Sequence, residues 1–64
     1  MDYEFRFFCG SDFEALHMTA LDSDVLALER ARVYLSASSR FSHVEVRHGF
    51  HFMRRIQSDR IPGE

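Results

Sequence analysis

The chain has 64 residues, 45% apolar and 28% charged, with a net charge of −2. That length allows one domain, no apolar run approaches the roughly 20 residues of a membrane helix, and the acidic balance argues against a general nucleic-acid binder. Cys9 is the single cysteine, so an intrachain disulfide is excluded and a reducing, cytoplasmic setting is expected.

The opening Met1-Asp2-Tyr3-Glu4 lacks a basic and an apolar leader region, so no secretory signal is expected. Residues 3–9 then alternate with period two. Tyr3, Phe5, Phe7 and Cys9 share one face, and Glu4, Arg6 and Phe8 the other, which predicts a strand buried on one side. Phe8 puts an apolar ring on the polar side. Gly10-Ser11-Asp12 reads as a turn. Residues 13–20 fit either a short helix or a strand. A strand hairpinned onto the first is expected, because a lone strand needs a partner.

Residues 21–36 carry the one strong helical period. Asp22 is the expected N-cap, its carboxylate accepting from the first-turn N–H groups. Leu21 and Leu26 would then have the spacing of a hydrophobic staple, and Asp24 would sit at the positive end of the helix dipole. Ala27, Leu28, Ala31, Tyr34 and Leu35 form one apolar stripe. Glu29, Arg30, Arg32 and Ser36 face away, and Val33 lies off the stripe. The two alanines allow the helix to lie close to a sheet of large rings. Ser36 to Ser39 ends it.

Residues 42–56 predict a hairpin turning around Arg47-His48-Gly49. A three-residue loop with Gly49 in the left-handed position pairs Val46 with Phe50 and Val44 with Phe52. It collects Val44, Val46, Phe50, Phe52 and Ile56 on one face, with Arg54 nominally there too. His43, Glu45, His51, Met53 and Arg55 fall on the other. Residues 58–64 predict a flexible tail after a single domain over 1–57. The expected architecture is α+β: a two-layer domain, order β-β-α-β-β, with one helix on one face of an antiparallel sheet of about four strands.

Three stretches together resemble a group of very short, uncharacterised bacterial proteins: the aromatic opening strand Tyr3 to Phe8, the acidic helix start running from Asp22 to Ala31, and Val44-Glu45-Val46-Arg47-His48-Gly49. The resemblance covers most of the chain. It implies a fold and no known activity, so it assigns no functional residue.

The chemical candidates each have a plainer structural reading. His43, His51 and Glu45 share a face in the expected register, with His17 and His48 elsewhere. A metal site needs three or four convergent ligands, and solvated histidines on an open sheet face explain these as well. Cys9 as a nucleophile lacks a base and, apart from Arg6, a neighbouring cation to activate it; a small buried core thiol is the expectation. Capping accounts for Asp22 and Asp24. The glycines at 10, 49 and 63 form no phosphate loop. No catalytic residue, metal or cofactor is therefore assigned, and an enzyme is not expected.

What remains is the sheet face that one helix cannot cover. Arg6, Phe8, His51, Met53 and Arg55 are its expected interaction residues. A chain this short buries only about 60% of the surface its unfolded form exposes. A cytoplasmic protein–protein interaction module acting as a homodimer is the expectation, with another protein as the other candidate partner and no membrane. The alternative is single-stranded RNA or DNA binding on the same face, by stacking and phosphate contacts.

Overall fold

The computed structural model describes residues 1–58. Its elements are β1 (Asp2–Cys9), β2 (Asp12–Ala20), α1 (Asp24–Ala37), β3 (His43–His48) and β4 (His51–Gln57). The four strands form one antiparallel sheet in the order β2-β1-β3-β4, with α1 against one face. This is the expected α+β architecture, and residues 13–20 are a strand.

Alternation makes β1 the floor of the core. Tyr3, Phe5 and Phe7 are buried, as are Val44 and Val46 of β3 and Ile56 of β4. From above, Ala27, Ala31 and Leu35 of α1 close on them, with Leu28 and Tyr34 at the margin. Both alanines have no exposed surface, so their small side chains set how near the helix backbone lies to the sheet, where it approaches β3 and β4 most closely. Tyr34 meets Phe5 and Phe7 edge-on, at centroid distances of 5.7 and 6.2 Å. Phe41, just before β3, adds a further ring 5.0 Å from Phe7.

The helix starts one residue later than its sequence suggests. Ser23, not Asp22, is the N-cap, and its hydroxyl accepts from the Leu26 N–H at 3.3 Å. The cause lies in the sheet. Leu21 donates its N–H to the Met1 carbonyl, so the β1–β2 ladder holds the chain through Leu21 and delays the turn into α1. The staple spacing is lost with the shift: Leu21 packs at the core margin while Leu26 stays exposed. Asp24 opens the first turn, where its Oδ1 accepts from the Tyr3 hydroxyl at 2.6 Å. A buried β1 ring is thereby tied to the helix start.

Both hairpins turn through two residues, Gly10-Ser11 and Gly49-Phe50. Gly10 and Gly49 have φ of 63° and 60°, which suits the first loop position of a type II′ turn. The expected three-residue loop at Gly49 is therefore wrong. Phe50 takes the second loop position and is 99% exposed. The register is restored by a bulge: Val46 pairs with Arg54 but Arg47 with Phe52, leaving Met53 as the extra residue. Beyond the bulge, Arg54 and Ile56 lie on the helix side as expected. Before it, Phe52 lies on the uncovered side and His51 opposite His48. A second bulge sits in β2, where Phe7 pairs with Ala15 and Phe8 with Phe13, so that Glu14 is extra. The Ser58 N–H reaches the Ser42 carbonyl and extends the β3–β4 ladder by one bond; the remainder of the expected tail lies outside the described residues.

Two outcomes follow from this packing. Ala31→Leu inserts methylenes where no space exists and should cost about 1–3 kcal/mol, read as a lower urea midpoint; an unchanged midpoint would mean that the helix does not sit this close. The Tyr3 pKa is raised from 10.0 to about 12, first by the hydrogen bond to Asp24, then by burial and the Asp24 charge. The unfolded phenol ionises first, so this stabilisation is whole below pH 10 and disappears as pH rises towards about 12. Denaturation midpoints followed across that interval should fall in the native chain and fall less in Tyr3→Phe.

Candidate functional site

The sheet side away from α1 carries three rows of side chains, set by the register. The first runs Met18, Glu4, Arg47, Phe52. The second runs Leu16, Arg6, Glu45, Arg55. The third runs Phe13, Phe8, His43, Gln57. Charge occupies the middle of the first two rows, and apolar side chains stand mainly at the β2 end.

The central charges alternate in sign and satisfy one another. Glu4 accepts from Arg6 Nε at 2.7 Å and has Arg47 Nε at 3.9 Å, and Arg47 Nη1 lies 3.8 Å from Glu45. These side chains are partly exposed, so each pair adds at most about 1 kcal/mol. Their larger effect is to leave few free cations in the middle of the face. In the third row Phe8 and His43 stack nearly parallel, 4.7 Å apart and 6° from coplanar, and Phe13 meets Phe8 edge-on at 5.7 Å.

His43 is buried, with Nδ1 3.1 Å from the Ser42 hydroxyl. Burial and the nearby Arg55 charge lower its pKa from 6.5, while Glu45 pulls the other way. A neutral ring stacked on Phe8 is the favoured form.

Of the five residues expected on this face, Arg6, Phe8 and Arg55 lie on it. His51 and Met53 do not. The bulge turns that part of β4 over, so His51 falls opposite His48 and Met53 packs against the core, with Phe52 on the face in their place. The same geometry separates the conceivable metal ligands. His43 pairs with Gln57 and His51 with His48, at opposite ends of the hairpin, and no cluster of three potential ligands occurs among the described residues. Cys9 is exposed rather than buried: it has the core-face parity of Phe7, but it ends β1 beside the turn, past the reach of the helix.

Sequence reasoning missed Phe13, Leu16 and Met18, which are 54%, 51% and 61% exposed. Regular alternation separates Phe13 from Leu16 and Met18; only the Glu14 bulge brings all three to one side. The helix side of β2 is also partly open. There Phe7, His17, Tyr34 and Phe41 line a shallow cleft of about 260 Å³, with the Tyr34 hydroxyl 3.3 Å from His17 Nε2. Arg40 borders it, paired with Glu14 at 3.0 Å and lying 5.9 Å from the Phe41 ring.

No helix among the described residues is long and apolar enough to cross a membrane. No protein-family model, curated protein or solved structure matches the chain.

The lowered His43 pKa sets a direction for acid stability. Its contribution is intact above pH 6.5 and is lost as pH falls, because the unfolded ring takes up a proton more readily than the folded one. A proton NMR titration should place the His43 midpoint below 6.5, and His43→Gln should lose less stability on acidification. A midpoint at or above the ordinary value would contradict the buried stack.

Proposed function

We propose that the chain is a small cytoplasmic protein–protein interaction module that works as a homodimer. The observation that carries this reading is the row of exposed apolar side chains, Phe13, Leu16 and Met18, along one outer strand. Contiguous apolar surface of this kind marks contact sites, and none of the described elements covers it. The small core gives a physical motive, since association adds burial that one short chain lacks. The lone exposed thiol supports a reducing compartment.

Single-stranded nucleic-acid binding on the uncovered face draws less support. Its stacking rings, Phe8 and His43, already stack on each other, and Arg6 and Arg47 are engaged by Glu4 and Glu45.

Sedimentation equilibrium tests the reading. The mass should approach twice the 7.5 kDa of one chain as concentration rises. Met18→Asp, on an exposed position, should return it to one chain mass with the circular dichroism unchanged. A native chain that stays at 7.5 kDa throughout would overturn the proposal.

A further inference from the structure

We infer that two copies join β2 to β2 as antiparallel neighbours about a twofold axis at His17, making one continuous sheet from the four strands of each. This rests on the homodimer reading and adds its surface and register.

The sheet has two edges, β2 and β4, and they are built differently. β4 carries Arg54 and Arg55 and a bulge in its middle. Charge and bulging are the usual devices that keep an edge strand from pairing. β2 has its bulge and both its charges, Asp12 and Glu14, at its start. From Ala15 to Ala20 it has neither a formally charged side chain nor a proline.

The free hydrogen-bonding groups of this edge can be assigned. Met1 and Leu21 exchange both backbone bonds. Antiparallel pairs alternate between bonded and non-bonded, so Tyr3–Thr19 and Phe5–His17 are bonded pairs and Glu4–Met18 and Arg6–Leu16 are not. The N–H and C=O groups of Leu16, Met18 and Ala20 therefore point outward, away from β1. A row of outward N–H and C=O groups on an edge strand is a template for a further strand, and a second β2 offers these the matching set.

Register follows from side chains. Pairing must keep each copy's uncovered face on one side, so it changes only in steps of two residues. An axis at Leu16 sets Met18 against the bulge at Glu14. An axis at Met18 sets Leu16 against Ala20. An axis at His17 sets Leu16 against Met18 twice and aligns Ala15 with Thr19. This register keeps the bulge out of the apolar seam and unites Leu16 and Met18 of both copies. It is isologous and closed, as a twofold interface requires.

Disulfide trapping in a Cys9→Ser background tests the axis. His17 would face its own copy in a non-bonded pair, with Cα atoms about 4.5 Å apart, inside the range a disulfide spans. His17→Cys should form a covalent dimer in high yield under mild oxidation. Ala15→Cys and Thr19→Cys each lie roughly 14 Å from their own copies. They should stay uncrosslinked alone and crosslink when mixed. Without substitution, the Leu16 and Met18 amides should exchange hydrogen more slowly as concentration rises.

A chain that is monomeric by sedimentation overturns both this inference and the homodimer reading. A dimer in which His17→Cys does not crosslink and these amides are not protected leaves the homodimer and overturns the edge pairing. Crosslinking of Ala15→Cys or Thr19→Cys alone overturns the His17 axis.

Discussion

Ala27 and Ala31 set the separation of the two layers, and much of the structure follows from it. With both side chains fully enclosed, α1 lies close over β3, the strand of Val44 and Val46. An α-helix with its side chains is about 10–12 Å across, while the outer strands of a four-stranded sheet lie roughly 14 Å apart. One helix seated this low cannot shelter all four strands. It settles nearest β3 and β4 and reaches β1 through the Tyr34 and Asp24 side chains. β2 is left the least covered, with His17 open even on the helix side. The unoccupied surface is thus a geometric consequence of the close packing that makes the core.

The architecture was legible in the sequence because alternation and helical period act locally. Tyr3, Phe5 and Phe7 are buried as their spacing requires, and the whole Ala27-to-Leu35 stripe packs on the core. The faces of β2 and β4 were not legible, and the cause is the same in both. A single extra residue, Glu14 or Met53, inverts every side chain on one side of it. Nothing in the composition around either position marks it as a bulge. At β4 the expected three-residue loop without a bulge buries more aromatic surface on paper. The structure instead turns through Gly49-Phe50, carries a bulge at Met53, and exposes Phe50 and Phe52.

The helix start shows a different limit. Asp22, Ser23 and Asp24 all suit an N-terminus, and local propensity ranks Asp and Ser as near equals at the cap. The decision comes from residues far away. Met1 holds Leu21 in the ladder, and Tyr3 engages Asp24 across 21 positions. Together they leave Ser23 as the capping residue. The acidic start is legible as a helix signal, but which oxygen caps it depends on the sheet having formed.

The distribution of charge on the uncovered face then bears on what kind of contact it supports. Glu4, Arg6, Glu45 and Arg47 satisfy each other in the middle. A partner laid flat across them would strip water from four ions and return little attraction, because each already has its counter-charge. At the β2 margin the terms reverse. Leu16 and Met18 lose only unfavourable hydration when covered, and the backbone beside them has hydrogen bonds still to make. Contact at that margin leaves the charged centre hydrated and adds apolar burial where α1 does not reach. The face that one helix leaves open therefore divides into a centre that favours water and an edge that favours a neighbour.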